Sequence, residues 1–420
     1  MTWTRRKFGR VAGASLAALA ARPARSASPP RVVVIGGGIA GATVAKYLAT
    51  SSAKPEVTLV EPKQRYKTCF FSNFYLAGTR SLESLTHGYE KLAGNYGIQV
   101  IHDAATSIDP VAKTVVLAGG GKLSYDRAVV APGIAFKYGA IEGYDEAATQ
   151  IIPHAWNAGP QTQLLRKQLE SMDDGGLFVI VAPPDPFRCP PGPYERASLV
   201  AYYFKQFKPR SKIIILDAKD TFFEQDLFED GWNRHYPGMI EWLPAQFTGG
   251  VKSVDVKTRA IKTGGDTFNA SVANIIPAQM AGELVQRAGL ADQTGWCPID
   301  PMTFESRLHP AIHVIGDATN AGDMPKSAFV ANSQAKACAF AIASALNGSE
   351  ETMPHLFNTC FTYFAPNDAV TDAINMKPSN GSIKITDIFF SQVGESDEIR
   401  REASRQGEGW YAAFTHDVFG

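Results

Sequence analysis

Five cysteines are the side chains of this sequence best suited to redox chemistry: Cys69, Cys189, Cys297, Cys338 and Cys360. Because the number is odd, at least one of them stands outside any intramolecular disulfide. Five cysteines in 420 residues are too few for a disulfide-built scaffold. The sequence contains no Cys-x-x-Cys-His motif, so it predicts no c-type haem on this chain. Spacing alone does not show which cysteines react together.

A glycine-rich turn near the start of the chain has the spacing of a dinucleotide-binding site. Gly36, Gly38 and Gly41 follow the apolar run Arg31–Ile35 and precede a segment of helical character. Glycines there allow a tight turn, let a pyrophosphate approach backbone N–H groups, and let the helix pack closely on the strand. Glu61 follows Gly41 by 20 residues, at the end of a second apolar strand, where a ribose-binding carboxylate is expected. The sequence therefore predicts an adenine dinucleotide site.

Two later segments favour FAD over NAD. One strand runs into a turn at Pro132 and Gly133, and another ends at Gly316 and Asp317, ahead of a long helical stretch over 328–346. Both segments resemble marks of the two-dinucleotide-domain flavoprotein superfamily. That resemblance implies that Asp317 meets the ribityl chain of FAD. It also implies that the helix points its N-terminus at the flavin, where its dipole favours an anionic reduced ring.

The second nucleotide fingerprint that NAD(P)H-dependent members of that superfamily carry is missing from the sequence. A strand over 176–182 is followed by a segment over 183–193 with the sequence PPDPFRCPPGP. Proline has no N–H to donate to a phosphate and cannot turn as glycine does. A further strand over 211–217 indicates that this part of the chain keeps its fold. We therefore expect no NAD(P)H site.

The mature chain resembles the flavoprotein subunit of flavocytochrome c sulfide dehydrogenase, a family related to the sulfide:quinone oxidoreductases. Four segments carry the resemblance: 66–73 (YKTCFFSN), 188–197 (RCPPGPYERA), 325–327 (PKS) with 331–333 (ANS), and 358–360 (NTC). The resemblance implies that Cys69 forms a thioether with FAD and that Cys189 and Cys360 form a redox-active disulfide. The alternatives are a buried apolar Cys69 and a disulfide that is merely structural.

The same resemblance assigns roles to three further residues. Glu195 is expected near the disulfide, at the start of a helix after the proline loop, where it handles protons. Alternatively, it is a carboxylate that satisfies the helix dipole. Ser327 and Asn332 are expected to bind the cofactor. Cys297 and Cys338 have no such assignment and are predicted to be small buried side chains.

The predicted fold class is α/β, with two Rossmann-like domains of the FAD/NAD(P)-binding type and a C-terminal α+β cap. Residues 30–150 and 278–350 form a discontinuous FAD domain, and residues 151–277 form a degenerate NAD-type domain that carries one redox cysteine. Residues 351–420 form a flavin-covering and interface domain, predicted to be aromatic and loop-rich from about Met353. Asp397 to Arg405 mixes charges of both signs without a matching apolar face, so we expect no membrane-docking amphipathic helix.

Residues 1–28 have the pattern of a twin-arginine export signal, and a Sec signal or a basic tail are the alternatives. Arg5 and Arg6 precede an apolar run of about eleven residues, which is shorter than the ~20 residues of a membrane span. Small residues follow, where a signal peptidase would cut. The whole chain has 41 basic and 41 acidic side chains, but without residues 1–28 it has 35 and 41, a net charge of −6. We expect a periplasmic protein that has no integral membrane span and binds no nucleic acid, since it lacks a basic surface.

The resemblance implies an enzyme that oxidises sulfide. Hydrosulfide attacks the disulfide, two electrons reach FAD, and a c-type cytochrome subunit receives them singly while sulfane sulfur or polysulfide leaves. A sulfide:quinone oxidoreductase and a non-catalytic redox carrier with the flavin fold are the alternatives. No metal site is expected, because Pro310 breaks any helix that would join His309 to His313.

Overall fold

The computed structural model describes residues 28–420, so the predicted export signal lies outside the described residues except for its last position. The α-helices of the described part, numbered along the chain, are α1 (Ile39–Ala49), α2 (Ser72–Ala77), α3 (Glu90–Tyr96), α4 (Pro160–Ser171), α5 (Gly192–Phe207), α6 (Gln225–His235), α7 (Ala245–Thr248), α8 (Glu283–Arg287), α9 (Ala328–Asn347) and α10 (Asp397–Phe419). Short 3₁₀ turns cover Glu83–Leu85, Ala148–Gln150 and Gly316–Ala318.

The strands of the described part are also numbered along the chain. They are β1 (Arg31–Ile35), β2 (Glu56–Val60), β3 (Arg65–Lys67), β4 (Thr86–Gly88), β5 (Gln99–Ile101), β6 (Ala105–Asp109), β7 (Thr114–Leu117), β8 (Lys122–Ser124), β9 (Arg127–Val130), β10 (Ile134–Phe136), β11 (Leu177–Ala182), β12 (Lys212–Asp217), β13 (Ile240–Leu243), β14 (Val251–Asp255), β15 (Ala260–Thr263), β16 (Thr267–Asn269), β17 (Val272–Ile275), β18 (Gln279–Ala281), β19 (Cys297–Pro298), β20 (Ile312–Val314), β21 (Thr319–Asn320), β22 (Leu356–Ala365), β23 (Asp368–Ser379) and β24 (Ser382–Phe390).

A parallel five-stranded sheet organises the first unit, in the order β20-β9-β1-β2-β5. The β-branched run of β1 has four of its five residues buried, as expected for a strand covered on both faces. Helices α1 and α9 pack against each other beside this sheet. Strand β20 joins it after an excursion of the chain of more than 150 residues, so segments from both sides of the middle unit share one sheet.

The middle unit is built on a second parallel sheet, in the order β13-β12-β11-β17. Strand β11 is buried along five of its six residues, and α5 follows it after the proline-rich loop. Two parallel sheets that are flanked by helices confirm the predicted α/β class with two Rossmann-like units. The strands predicted over 176–182 and 211–217 and the helical stretch predicted over 328–346 agree with β11, β12 and α9 to within one residue.

The C-terminal segment corrects one prediction. It is not loop-rich: it forms an antiparallel sheet, β22-β23-β24, covered by the 23-residue helix α10. The apolar face of α10 begins at Ala403 and continues through Tyr411, Phe414 and Val418, beyond the charged first two turns that dominate the sequence pattern. That face recurs every three or four residues and packs on the sheet and on α1.

The prediction for the two unassigned cysteines can be checked by their burial. Cys297 and Cys338 are both 0% exposed, which confirms that they are small core side chains. No helix of residues 28–420 has the length and apolar character needed to cross a membrane.

Candidate active site

A cavity of about 1140 Å³ lies where the two Rossmann-like units and the C-terminal sheet meet. It exceeds the roughly 300–1,000 Å³ usual for small-molecule pockets, as a dinucleotide would require. The predicted site residues that line it are Gly36, Gly38, Glu61, Cys69, Pro132, Gly133, Cys189, Glu195, Gly316, Asp317, Ser327 and Cys360. Gly41 and Asn332 do not line it.

The glycine fingerprint has the close contacts that only glycine permits. Gly36 has φ +96°, and a Cβ on it would lie 2.3 Å from the carbonyl oxygen of Ala131. A Cβ on Gly41 would lie 1.7 Å from the carbonyl oxygen of Gly36, so Gly41 acts by letting α1 pack against β1. Glu61, at the end of β2, accepts a hydrogen bond from the Gly37 N–H at 2.7 Å. Backbone and carboxylate are therefore placed to hold the pyrophosphate and ribose of a dinucleotide.

Asn332 lies on the wrong side of α9 to reach the cofactor cavity. Its side-chain amide donates to Thr43 Oγ1 at 3.0 Å and to Asp417 Oδ2 at 3.4 Å, and the residue is buried. It therefore ties α9 to α1 and α10. The resemblance pointed to its segment, but a single sequence does not show which helix face turns toward the cavity.

The end of β20 and the start of α9 form one wall of the cavity. Burial raises the pKa of the Asp317 carboxyl, while the positive charges of Arg188 and Lys326 act in the opposite direction. Lys326 donates to the carbonyl oxygens of Asp317 and Thr319, both at 2.8 Å, and burial lowers its pKa to about 8. Ser327 caps α9 by accepting from the Val330 N–H at 3.0 Å, so the positive end of the helix faces the cavity.

Cys189 occupies a strained position at the end of the proline loop. Its φ is +61°, which a non-glycine residue adopts only where the surroundings impose it. Its N–H donates to the Lys326 carbonyl at 2.8 Å, and its own carbonyl accepts from the Gly192 N–H at 2.9 Å. A Cβ on Gly192 would lie 3.0 Å from the Cys189 sulfur. The loop thus holds this thiol in a fixed direction at the start of α5.

Cys360 reaches the same cavity from the C-terminal sheet, in the middle of β22. All five cysteines are free thiols in this structure. Burial raises the pKa of both cavity thiols, Cys189 and Cys360. Glu195 also raises the pKa of Cys189, but there Arg188 acts in the opposite direction, whereas the groups that act most strongly on Cys360 are all acidic.

Glu195 lies in the first turn of α5, as predicted, and its carboxylate bridges two units. It accepts from Asn73 Nδ2 at 2.7 Å and from the Tyr363 N–H at 3.2 Å. Burial raises its pKa to about 7, although these hydrogen bonds and the charge of Arg196 lower it in part. A carboxyl with a pKa near neutrality beside two thiols suits proton transfer.

Arg196 was not recognised from sequence, although it organises this region. It is 2% exposed and donates from Nε to Asn73 Oδ1, and from its terminal nitrogens to Asn274 Oδ1 and to two backbone carbonyls. Arg188, Lys326 and Asp372 are likewise cavity-region residues without a predicted role. Arg188, Lys326 and Arg196 stand within the quoted family segments, but only the fold shows that they meet.

The acid at the end of β12 in the middle unit is bound by side chains of that unit. Asp217, at the end of β12, has the position of a ribose-binding acid. Its carboxylate instead accepts from the Tyr194 hydroxyl, from Trp242 Nε1 at 2.9 Å and from Lys219 Nζ at 2.7 Å. The Asp217 side chain is completely buried.

The fold and the cavity define a class, the FAD-dependent oxidoreductases whose cofactor site adjoins a pair of thiols. Models of three sequence families match this chain. Residues 30–168 match the pyridine nucleotide-disulphide oxidoreductase family. Residues 162–277 match the central part of the sulfide dehydrogenase [flavocytochrome c] flavoprotein chain, and residues 352–419 match the flavin-binding part of flavocytochrome c sulphide dehydrogenase.

Individual relatives agree. The chain is 58% identical over 43 residues to a sulfide dehydrogenase [flavocytochrome c] flavoprotein chain from Chlorobaculum thiosulfatiphilum, a match that covers 10% of this chain and 90% of that sequence. It is 24% identical over 318 residues to the mitochondrial sulfide:quinone oxidoreductase of Mus musculus, covering 71% and 68%. The structure of the sulfide:quinone oxidoreductase of Aquifex aeolicus superposes with a TM-score of 0.73 at 18% identity, covering 93% and 92%. The chain belongs to the flavocytochrome c sulfide dehydrogenase flavoprotein family, which is related to the sulfide:quinone oxidoreductases.

Proposed function

We propose that this chain oxidises hydrosulfide to sulfane sulfur or polysulfide, through a Cys189–Cys360 disulfide and FAD, and passes the electrons to a c-type cytochrome subunit. The proposal rests on one observation. These two cysteines come from different units of the fold and line the same cavity as Gly36 and Gly38. Their positions 171 residues apart give no hint of this meeting.

FAD fits the residues present. The cradle at Gly36 and Gly38 would hold its pyrophosphate, Glu61 its ribose and Asp317 its ribityl chain, while Ser327 directs the N-terminus of α9 at it. Bound FAD would take up two electrons and release them one at a time. We also propose that Cys69, which lines the cavity between β3 and α2, is the site of a thioether to the cofactor.

The electrostatics of the cavity favour one direction of attack on the disulfide. A disulfide opens more readily when the departing sulfur is stabilised as a thiolate. Burial and acidic groups, Glu195 first, raise the pKa of Cys189, but Arg188 opposes them there, whereas no cation is among the groups that act most strongly on Cys360. Hydrosulfide would therefore bond to the Cys360 sulfur, the Cys189–Cys360 bond would break, and Cys189 would keep the electron pair.

Two features of the middle unit support the proposal that the chain does not use NAD(P)H. Its loop carries prolines in place of phosphate-binding glycines, and Asp217 is satisfied by three internal donors. A nicotinamide dinucleotide would have to break these contacts to bind.

We propose that the cytochrome partner docks on strand β24. This strand forms one edge of the C-terminal sheet, and Ile385, Ile388 and Phe389 on it are 40–55% exposed. Exposed apolar side chains on a strand edge mark an interaction surface. We also propose that the chain divides into an FAD domain (30–150 and 278–350), a middle domain (151–277) and a C-terminal interface domain (351–420). We further propose export to the periplasm through the twin-arginine signal.

A quinone is the second candidate acceptor, because several relatives of this chain are named sulfide:quinone oxidoreductases. Flotation of the purified protein with liposomes separates the two candidates. Migration with the vesicles would support quinone reduction, and a protein that stays behind while reducing cytochrome c would support the proposal.

The disulfide is tested by a Cys189→Ser variant. We expect it to retain FAD but to lose sulfide-dependent bleaching of the flavin, because the attacked bond no longer exists. Anaerobic titration with sulfide, followed in the visible spectrum, measures this. Cys338→Ala, which removes a buried thiol outside the cavity, is the matched control and should bleach normally. Normal bleaching of Cys189→Ser would refute the mechanism.

A further inference from the structure

A buried carboxyl that the proposed function does not use lies directly beside Cys360. Asp372 on β23 pairs with Cys360 on β22 in the antiparallel register, and both line the cavity. Side chains of directly opposed residues project from the same face of a sheet, with Cβ atoms roughly 4.5–5.5 Å apart. Asp372 is 2% exposed.

The Asp372 carboxylate has few partners for a buried charge. From side chains its two oxygens accept long hydrogen bonds from Asn358 Nδ2, both at 3.4 Å, and no lysine, arginine or histidine among the described residues forms a salt bridge with it. Burial raises its pKa to about 7, partly offset by the backbone N–H groups of Cys360 and of Asp372 itself. A buried, unpaired carboxyl beside a reactive group is typical of a proton acceptor.

Asn358 connects Asp372 to the start of α9. Its Oδ1 accepts from Ser327 Oγ at 2.6 Å, and Ser327 caps the helix whose N-terminus faces the cavity. Asn358 and Cys360 are two residues apart on β22, so their side chains project from the same face of the sheet. The amide thus fixes the carboxylate of Asp372 on the side of the reacting sulfur.

Two other carboxyls on neighbouring elements, Glu224 and Glu195, act on Cys360. Glu224, just before α6, has one oxygen that accepts from Thr362 Oγ1 at 2.9 Å and another, Oε1, that is buried without a partner. Burial raises the pKa of Glu224 to about 8, and the charge of Asp372 adds to this. Glu195 on α5 is held by Asn73 and Tyr363. Burial and the charge of Asp372 both favour a neutral Glu224, and in residues 28–420 no such cluster has the geometry of a metal site.

We propose that Asp372 is a further catalytic residue, the base that takes the proton from the sulfur that bonds to Cys360. This inference rests on the proposed function. As the sulfur of HS⁻ bonds to the Cys360 sulfur and the bond to Cys189 breaks, Cys189 keeps the electron pair as a thiolate. The proton of the attacking sulfur passes to a carboxylate oxygen of Asp372, which leaves a deprotonated persulfide on Cys360. No electron leaves the sulfur atoms in this step.

The test compares the rates of flavin bleaching by sulfide in the holoenzyme and in its Asp372→Asn variant between pH 6 and pH 9. The ratio of the two rates at each pH cancels the ionisation of sulfide itself. We expect the variant-to-wild-type ratio to fall as pH rises through about 7, to a tenth or less at pH 8, because only the ionised carboxylate accepts a proton. Asp387→Asn, an exposed change on β24 of the same sheet, should keep a ratio near one throughout.

Three further outcomes complete the test. Asp372→Glu keeps a carboxyl, so it should restore at least part of the rate and its pH dependence. A constant ratio for Asp372→Asn, or an Asp372→Glu variant as slow as Asp372→Asn, would overturn the assignment of Asp372 and leave the proposed function standing. If sulfide fails to bleach the flavin of the wild-type protein at every pH, both the assignment of Asp372 and the proposed function are overturned. Reduction by dithionite, which needs no disulfide, shows that each variant still holds a competent flavin.

Discussion

Individual side chains in this molecule gain their chemistry from burial. Four such groups line one cavity, where burial raises their pKa values: the thiols of Cys189 and Cys360 and the carboxyls of Glu195 and Asp372. The difference between the two thiols comes from their neighbours, since carboxyls act on both but Arg188 partly offsets them at Cys189 alone. One protein environment thus makes two chemically similar sulfurs unequal.

Cys69 carries a prediction at this scale. If it forms the thioether, the flavin of the wild-type protein should stay with the acid-precipitated polypeptide, because a covalent bond survives unfolding. Cys69→Ala should release its flavin into the supernatant, and Cys189→Ser should retain it as the wild type does. The absorbance of pellet and supernatant near 450 nm (about the flavin maximum) measures this. Free flavin from the wild-type protein would contradict the covalent link.

Several site residues could be predicted from sequence because their roles depend on local structure. Gly36, Gly38 and Glu61 act within one strand–turn–helix–strand unit, and their spacing reports their geometry. Asp372 and Arg196 could not be predicted in this way. Their roles depend on contacts with Cys360 and Asn73, which lie 12 and 123 residues away and are brought close by sheet pairing and unit packing.

Among the elements, α10 shows how a charged sequence still gives a packed helix. Its first two turns carry charges of both signs, and these hid the apolar face that follows. Gly407 lies where the helix crosses the sheet most closely: a Cβ there would lie 2.2 Å from the Tyr363 hydroxyl. Tyr363 in turn donates to the Ser404 carbonyl at 2.9 Å. The approach of helix to sheet thus depends on one missing methyl group.

Two glycines of α10 offer a matched pair of substitutions. Gly407→Ala should destabilise the protein by roughly 1–3 kcal/mol, because the added methyl group clashes with Tyr363. Gly409→Ala, which meets nothing within 4 Å, should instead stabilise by roughly 0.5–1 kcal/mol through the lower entropy of the unfolded chain. Urea denaturation measures both. An equal effect of the two changes would show that packing at Gly407 does not limit stability.

At the scale of the whole molecule, three buried carboxyls link stability to pH. Burial raises the pKa of Glu195 and Asp372 to about 7 and that of Glu224 to about 8. The folded state therefore holds protons that the unfolded state has lost. Their contribution to stability is complete below the unfolded pKa values near 4 and is lost progressively as pH rises from there through 7 and 8. The protein should become less stable between about pH 5 and pH 8.

Glu224→Gln tests this linkage, because glutamine stays neutral at every pH. The variant should lose less stability than the wild type between pH 5 and pH 8, with a difference in slope of up to about 1.4 kcal/mol per pH unit. Glu229→Gln, an exposed change on α6, is the control and should follow the wild type. Unfolding free energies from urea titrations at several pH values provide the measurement. Parallel curves for Glu224→Gln and the wild type would disprove the linkage.

The position of the two cavity cysteines on separate units has a consequence for biosynthesis. Cys360 belongs to the last 65 residues of the chain, and it meets Cys189 only after the C-terminal sheet has docked against α5. A nascent or truncated polypeptide therefore lacks the proposed Cys189–Cys360 pair even when its earlier units have folded. Labelling with a reagent for accessible thiols would show which molecules in a preparation have completed this last assembly step.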